Sequence, residues 1–316
     1  MAVTGLLLDD IFTSHDTRDG HPERPARIEA IKAGFNAADL PTRCVPLSPQ
    51  PIDLERVYGI HTSEYIERVQ AACASNAPFI DVPDSAICDR SFDIARLAAG
   101  SALHAVDKVM EGSIDHAFCA IRPPGHHAEK TVSMGFCLLN NIALAGHHLL
   151  EEHRLDRVLI LDFDVHHGNG TQHSFESDPR VLFVSIHGDP RFVYPGTGRA
   201  DERGKGDGEG STCNVPVLPG ASDDQYQSAF DEVILPLIDD YRPEFMLLSA
   251  GFDAHRRDPL APVEVSTELY GWMTDRLTAS AASHCQGRLV SLLEGGYDLQ
   301  ALQESATLHV ERLLEA

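Results

Sequence analysis

Five short apolar runs recur along the chain, and a polar, glycine-rich segment follows each of them. The runs are AFCAI (117–121), VLIL (158–161), VLFVSI (181–186), FMLLSA (245–250) and LVSLLE (289–294), and they lead in turn into RPPGHHA, DFDVHHGNG, HGDP, GFDAH and GGYD. The runs are continuous rather than alternating, which is typical of strands buried on both faces of a parallel sheet. In such sheets ligands bind beyond the carboxyl ends of the strands. The five polar segments therefore predict one active site at that edge.

Helical patterns lie between the strands, over 91–110, 222–241 and 264–283. Since strand and helix alternate, the sequence predicts a doubly wound α/β domain with a mostly parallel central sheet flanked by helices. In the second pattern, Ser222 and Gln225 stand at capping-box spacing. The helix that follows is expected to carry one apolar face, formed by Tyr226, Phe230, Val233 and Leu237.

The chain of 316 residues carries no internal repeat, low-complexity tract or linker, so we expect a single domain over 1–316. The glycine-rich stretch 196–211 is expected to be a surface loop. The net charge of −23 disfavours direct binding of nucleic acid, because phosphate contacts require Lys and Arg. An acidic surface attracts cationic partners such as basic peptide tails or polyamines, although it also serves solubility alone.

Seven scattered cysteines without a CxxC pair do not suggest a disulfide framework or a thiolate metal site. The first residues, MAVTGLLLDD, lack the basic leader and long apolar stretch of a signal peptide. No segment approaches the ~20 apolar residues that span a bilayer. We therefore expect a cytoplasmic protein without a membrane partner, and the sequence leaves open whether it forms a homo-oligomer.

The segment DFDVHHGNG raises two alternatives, a metal site or a polar loop rich in histidine. Asp164 and His166 are two residues apart and can present an oxygen and a nitrogen to one ion, and Asp253 follows a matching strand. Two carboxylates and one imidazole leave positions open for water and substrate, as in catalytic zinc sites. The matching strand-end position of Asp253 favours metal binding.

His126 and His127 lie in RPPGHHA, where two prolines stiffen the backbone. Imidazole titrates near neutrality, so the pair could serve as general base and general acid. Such histidines need orienting acceptors, for which Asp162 and Asn169 are the candidates. The alternative is a surface pair, which is how we interpret His147 and His148 in the helical stretch ALAGHHLLEEH.

Three aromatic residues lie in glycine-containing segments, LLEGGYD, MGFCLLNN and RFVYPGTG. Tyr297 follows two glycines, which let the backbone approach a pocket closely, and its hydroxyl could donate to a developing oxyanion. Phe136 and Tyr194 could form the walls of a narrow substrate pocket, although most aromatic residues at such positions are core.

Taken together, RPPGHHA, GFCLLNN, LDFDVHHGNGTQ, SIHGDPRFVYPGTG, SAGFDAHRRDPL and LLEGGY resemble the histone deacetylase superfamily. The likeness is strongest to its class II and bacterial histone deacetylase-like amidohydrolases, which are related to acetylpolyamine amidohydrolases. HPERPARI at 21–28 also resembles the first loop of that group. The resemblance implies an arginase–deacetylase α/β fold and zinc-dependent hydrolysis of an acetylated amine, on a lysine side chain in a protein or peptide or on a polyamine.

The resemblance also implies a role for each motif residue. Asp164, His166 and Asp253 match the ligands of one Zn²⁺ (Fe²⁺ being the alternative), while His126 and His127, with Asp162 and Asn169, match the tandem histidines and their partners. Tyr297 matches the transition-state tyrosine. The substrate-binding positions are matched by Phe136, Tyr194, Gly135, Gly295 and Leu260. A structural K⁺ is implied beside Asp162, Asp164, His166, Ser185 and Ile186.

Three alternatives remain open at this point. Arginase-like two-metal hydrolysis requires a further carboxylate where this chain has Gly168, although His255 could provide another ligand. Acetylpolyamine hydrolysis uses the same chemistry, and the polyamine-selective relative carries Glu where this chain has Leu260, which favours acyl-lysine or a broad substrate range. A non-catalytic acyl-lysine-binding protein would require the loss of a motif residue, and none is lost. The roles of His255 and His167 are left open, with His167 expected to be structural.

Overall fold

Each predicted apolar run becomes a strand of one parallel sheet. The structure is a computed structural model that describes residues 2–316. Over that range the sheet has eight strands: β1 (Thr4–Leu7), β2 (Val45–Leu47), β3 (His116–Cys119), β4 (Val158–Asp162), β5 (Val181–Gly188), β6 (Thr212–Val217), β7 (Phe245–Ala250) and β8 (Leu289–Leu293). Their order is β2-β1-β3-β8-β7-β4-β5-β6, and every pair is parallel. The predicted α/β class is confirmed.

Helices connect the strands and flank the sheet. They are α1 (Ala26–Ala37), α2 (Leu40–Arg43), α3 (Leu54–Val57), α4 (Ser63–Ala74), α5 (Ser91–Met110), α6 (Asn141–Glu151), α7 (Asn169–Phe175), α8 (Asp223–Ala229), α9 (Leu235–Tyr241), α10 (Thr267–His284) and α11 (Leu299–Glu315). Short 3-10 turns cover Asp10–Ser14 and Gly206–Gly208. The predicted helix over 91–110 is α5, and the one over 264–283 begins later than expected, after the cap at Ser266.

The predicted helix over 222–241 contains an irregularity. The capping box between Ser222 and Gln225 is present, but α8 and α9 are joined by a π-helical segment, Phe230–Ile234. A π turn takes more residues than an α turn, so it shifts the buried stripe to a spacing of four residues. The prediction that Val233 lies on the apolar face is wrong: the side chain is exposed, and the buried stripe is Tyr226, Phe230, Ile234 and Ile238.

The sheet register brings the polar segments together. Asp162, the last residue of β4, pairs with Ser185 of β5 and Ser249 of β7. Ser249 in turn pairs with Leu292 of β8, whose neighbour on the other side is Cys119 of β3. Since these strands are parallel, all five polar segments leave the sheet at one edge. Along residues 2–316, no helix combines the length and the apolar character that crossing a membrane requires.

A buried ionic cluster ties the first loop to that edge. Glu23, Arg27 and Arg122 are fully buried; Arg27 Nη1 donates to Glu23 Oε1 (3.0 Å), and Arg122 Nη2 donates to Glu23 Oε2 (2.8 Å). Burial alone would raise the pKa of Glu23, but the two guanidinium groups hold it far below its usual value. Arg27 also donates to the carbonyl oxygens of Glu294 (2.5 Å) and Gly296 (2.7 Å), just beyond β8. Removal of one partner would leave a buried charge unpaired, which typically costs about 3–5 kcal/mol.

His309 of α11 is a buried histidine under the sheet. The Thr274 hydroxyl donates to the Tyr270 carbonyl, so it accepts from His309 Nδ1 (2.6 Å), while the Ser291 hydroxyl donates to Nε2 (2.9 Å). The imidazole is therefore neutral. Burial lowers the pKa of His309 to about 3.

We predict that His309 makes the protein less stable in mild acid. The unfolded chain takes up a proton near pH 6.5, whereas the folded chain does so only near pH 3, so stability is lost as the pH falls through this window. The variant His309→Gln has no titrating group at this position and serves as the reference. The unfolding free energy of the wild type minus that of the variant should fall by up to about 1.4 kcal/mol for each unit by which the pH is lowered. Urea denaturation of metal-stripped protein from pH 6.5 to 4 measures this, and parallel curves would contradict it.

Candidate active site

The carboxyl ends of β4, β7 and β8 bring three buried side chains together. His166 Nδ1 lies 3.1 Å from Asp164 Oδ1 and 3.0 Å from Asp253 Oδ2. Each carboxylate is aimed by backbone N–H groups: Asp164 Oδ2 accepts from Gly295 (2.7 Å), and Asp253 Oδ1 accepts from Val165 (2.9 Å). The structure thus places the three predicted ligands in one cluster.

The charges of this cluster suit a divalent cation. Its ligand atoms lie within 4.8 Å of one another, and two of the three groups are carboxylates cut off from water. Burial would lower the pKa of His166, but Asp253 and Asp164 raise it to about 10. Without a metal, the imidazole must therefore carry the positive charge that the carboxylates require. Two oxygens and one nitrogen form a donor set that zinc and similar divalent metals accept.

Gly295 and Gly251 border the same carboxylates. A Cβ atom on Gly251 would overlap the carboxylate of Asp164, and one on Gly295 would overlap both Asp253 and Asp164. Gly295 was predicted to bind substrate, and the structure places it against the metal-ligand candidates. Its backbone N–H and its missing side chain both serve the packing of the carboxylates.

The tandem histidines lie beside the cluster with different partners. His126 Nδ1 donates to Asp162 Oδ2 (2.8 Å), and His127 Nδ1 donates to Asn169 Oδ1 (2.7 Å), as the sequence predicted. Burial would lower the pKa of both. The carboxylates of Asp162 and Asp164 nevertheless raise the pKa of His126 well above its usual value. The neighbouring imidazoles of His126 and His166 lower the pKa of His127 further. The surroundings thus favour the cationic form of His126 and the neutral form of His127, which is the division that acid–base chemistry uses.

Glu294 is a site residue that sequence reasoning missed. Its carboxylate is fully buried and accepts from the backbone N–H groups of Gly125 (2.7 Å) and His126 (3.2 Å) and from the Ser249 hydroxyl (3.1 Å). It thereby fixes the segment that carries the tandem histidines. The sequence signal for Glu294 is its place in LLEGGYD, directly before the two glycines and Tyr297.

A narrow pocket of about 220 Å³ leads to His127 of the tandem pair and to His166 of the metal-ligand candidates. It is lined by Asp84, His127, Gly135, Phe136, His166, Tyr194, Leu260 and Tyr297. The Phe136 ring lies 5.8 Å from that of Tyr297, and the Tyr194 ring lies 5.1 Å from that of His127. Gly135 and Phe136 both have positive φ (52° and 69°), and a Cβ on Gly135 would strike His127. The predicted substrate residues other than Gly295 thus meet in one pocket.

Asp84 is a second residue that sequence reasoning missed. One of its carboxylate oxygens is buried without a hydrogen-bond partner within residues 2–316, although the residue lines the pocket. A buried acceptor of this kind is costly unless something donates to it. In the sequence, Asp84 stands in an unremarkable acidic stretch with no motif around it.

Tyr297 is held at the pocket by its backbone. Asp258 Oδ2 accepts from the N–H groups of Tyr297 (2.7 Å) and Asp298 (3.2 Å), and Arg27 lies 5.1 Å from the centre of the Tyr297 ring. Burial and the carboxylate of Asp253 raise the pKa of the phenol well above its usual value. Tyr297 therefore stays protonated and remains a hydrogen-bond donor.

The remaining histidines have structural contacts. His167 bonds Thr197 (2.9 Å) and Gln172 (2.8 Å) and so anchors the loop that carries Tyr194. Both ring nitrogens of His255 are engaged, one with Thr267 (3.2 Å) and one with the N–H of Arg257 (3.1 Å). The interpretation of His148 as a surface residue is wrong: it is buried, bonds Asp107 (2.6 Å) on α5 and does not line the pocket.

The predicted residues of the monovalent cation site lie beside the metal-ligand candidates. Asp162 and Ser185 are paired in the sheet, and Ile186 is the next residue on β5. The Ser185 hydroxyl bonds His187 Nδ1 (2.8 Å), and Asp162 Oδ1 accepts from the N–H of Asp164 (3.1 Å). The structure brings these residues together, and their role as K⁺ ligands stays a prediction.

Comparison with known proteins gives a family for this fold and site. The model of the histone deacetylase domain matches residues 21–313. A probable deacetylase of Archaeoglobus fulgidus is 40% identical over 300 residues, covering 94% of this chain and 82% of that protein. A histone deacetylase-like amidohydrolase of Pseudomonas aeruginosa is 37% identical over 278 residues, covering 88% of this chain and 73% of that protein.

A solved structure agrees with the family match. The crystal structure of the HDA15 HD domain superposes with a TM-score of 0.94 at 38% identity, covering 99% of this chain and 88% of that one. Fold and site thus define a hydrolase with the arginase–deacetylase fold, which belongs to the α/β class. The chain belongs to the histone deacetylase family, whose members are metal-dependent, and it is a hydrolytic deacetylase.

We predict that Tyr297→Phe lowers the turnover number by about 10²–10³, because loss of one oxyanion donor has that effect in other hydrolases. The metal content should not change, since Tyr297 is not in the Asp164–His166–Asp253 cluster. Steady-state kinetics and elemental analysis measure the two quantities. Tyr194→Phe, which removes the other pocket hydroxyl, is the matched control and should have little effect. Near-wild-type turnover in Tyr297→Phe would contradict the role given to the phenol.

Proposed function

We propose that the protein is a zinc-dependent deacetylase that hydrolyses the amide of acetylated lysine side chains in proteins or peptides. The observation that carries this proposal is the narrow pocket, which is lined by Phe136 and Tyr194 and reaches His127 and His166. A pocket of about 220 Å³ suits an unbranched alkyl stem that ends in a small acyl group. The acidic chain, with a net charge of −23, favours basic substrates.

We propose a single Zn²⁺, held by Asp164, His166 and Asp253. Three protein ligands leave room for water and substrate, which is the catalytic rather than the structural arrangement. A second metal of the arginase type has little support, because Gly168 offers no side chain and both nitrogens of His255 are already engaged. Fe²⁺ accepts similar donors and is the alternative ion.

When bound, the metal supplies Lewis-acid polarisation of the scissile carbonyl and activation of water. In our mechanism His127, which is neutral and lines the pocket, accepts the proton of the attacking water at Nε2. His126, held cationic by Asp162, stabilises the charge that develops and can donate a proton to the leaving amine. The Tyr297 hydroxyl donates to the oxyanion. Asp162 and Asn169 keep Nδ1 of the two imidazoles protonated.

We also propose a monovalent cation, K⁺, beside the site. Asp162, Asp164, His166, Ser185 and Ile186 occupy adjoining positions at the ends of β4 and β5, where backbone oxygens are available. Such an ion would offset part of the negative charge of Asp162 and Asp164.

Two features of the pocket favour peptide substrates over acetylpolyamines. Leu260 at the pocket is apolar and 41% exposed, so it offers no counter-charge to a second amine. The Asp84 carboxylate lines the pocket and can accept a backbone N–H group, which a peptide has on either side of the acyl-lysine and a polyamine lacks.

We predict one divalent metal per chain and its loss in Asp253→Asn, since the amide gives up the charge that offsets the cation. Elemental analysis of the purified protein and the variant measures this. Asp258→Asn is the matched control, because Asp258 bonds backbone N–H groups near the site without belonging to the ligand cluster. A metal count near two would favour the arginase-type alternative.

We predict that the protein hydrolyses an acetyl-lysine peptide more efficiently than acetylputrescine. Leu260→Glu should shift this ratio towards acetylputrescine by placing a carboxylate next to the free amine. The matched variant Leu260→Gln has the same shape without the charge and should not shift it. Comparison of kcat/KM for both substrates on zinc-loaded protein measures the effect. A wild-type preference for acetylputrescine would favour polyamine hydrolysis instead.

A further inference from the structure

Asn169, the partner of His127, has a side chain with two chemically different ends. Its Oδ1 accepts from His127 Nδ1 (2.7 Å), while its Nδ2 donates to Glu129 Oε1 (2.5 Å) and to the His127 carbonyl (3.3 Å). Rotation of the amide by half a turn would exchange the two ends. Nδ2 would then face His127 Nδ1, and Oδ1 would face the carboxylate of Glu129.

The orientation of this amide decides which nitrogen of His127 carries the proton. With Oδ1 towards the ring, Nδ1 must be protonated, and Nε2 is free to accept a proton. With Nδ2 towards the ring, Nδ1 must accept, so the proton moves to Nε2 and the imidazole cannot act as a base. A carboxylate in place of the amide would not have this second state, because both of its ends are acceptors.

Glu129 is placed to exclude the reversed amide. Two acceptor oxygens would face each other in the reversed state, whereas the observed state gives a charge-assisted hydrogen bond. The carboxylate is 21% exposed, and His173 Nδ1 donates to the same Oε1 (2.8 Å) from the solvent side. Burial would raise the pKa of Glu129, but the hydrogen bonds from His173 and Asn169 lower it, so the group stays ionised.

We propose that Glu129 is a positioning residue of the active site. It holds the Asn169 amide in the one orientation that keeps His127 Nδ1 protonated and Nε2 available to the pocket. His173 closes the chain of contacts at the surface, so that the path runs from solvent through His173, Glu129 and Asn169 to His127. For its kinetic consequence the inference rests on the amide hydrolysis proposed above; the tautomer of His127 can be measured without substrate.

The tautomer is the direct readout. In zinc-loaded protein labelled with ¹⁵N-histidine, the His127 resonances, assigned by their loss in His127→Gln, should report Nδ1–H in the wild type. Glu129→Ala should give a mixture of Nδ1–H and Nε2–H forms. Lys130→Ala is the matched control, since that neighbour is exposed and its carbonyl, not its side chain, bonds Thr62. An unchanged Nδ1–H signal in Glu129→Ala would overturn the inference.

Steady-state kinetics distinguish a positioning role of Glu129 from a purely structural one. Glu129→Ala should lower kcat by about 10-fold, the lower end for loss of such an outer partner, because the His127 carbonyl still holds part of the amide. KM and metal content should stay unchanged. In an Asn169→Asp background the same Glu129→Ala change should not lower kcat, since a carboxylate has no wrong orientation and Glu129 would face it as a like charge. An equal loss in both backgrounds would overturn the inference.

Glu129→Gln provides a second test that does not depend on the folding of the alanine variant. Glutamine has the same shape but can pair with either end of the Asn169 amide, so it should also release Nε2–H forms of His127, with a smaller loss of kcat. A glutamine variant identical to wild type in both readouts would overturn the inference. A wild type that hydrolyses neither acetylated substrate would instead contradict the proposed function, while the nitrogen resonances would still test Glu129.

Discussion

The burial of several carboxylates at one edge of the sheet is the constraint on which the rest of the structure depends. Asp162, Asp164, Asp253 and Glu294 are all fully buried at neighbouring strand ends, and like charges this close repel one another strongly. The chain offsets them with backbone N–H groups and with the imidazoles of His126 and His166, and a divalent cation held by Asp164, His166 and Asp253 would offset them further. The proposed catalytic groups and the structural counter-charges are therefore the same residues. Any change to one of them alters both the chemistry and the cost of folding.

Most of the fold could be predicted from the sequence because the central strands are apolar on both faces. Strands β3, β4, β5, β7 and β8 followed from that pattern, whereas β1, β2 and β6 did not. The first two are short, and β6 mixes polar residues with a proline, as an edge strand can. The apolar face expected to include Val233 was wrong because no sequence signal announced the π turn.

The site could be predicted where a residue belonged to a motif at a strand end. The grouping of Asp164, His166 and Asp253 followed from their positions after β4 and β7, and the partners of the tandem histidines followed from the need for acceptors. Asp84, Glu129 and Glu294 were missed for a common reason. Each is a single acidic residue whose surroundings in the site are formed by segments far away in sequence, and the chain has 48 acidic residues among which spacing does not distinguish them.

The strand order has a consequence for the folding of the nascent chain. β8, the last strand to be synthesised, lies between β3 and β7 and is the connection between the two halves of the sheet. Until residues 289–293 leave the ribosome, the β1–β3 half, which leads to the tandem histidines, and the β4–β7 half, which leads to Asp164, His166 and Asp253, have no shared ladder. Long-range parallel pairing of this kind is slow to form. Because β4 and β7 pair directly, Asp164, His166 and Asp253 can come together before β8 forms, whereas Glu294 and the N–H group of Gly295, which fix the site, arrive only with β8.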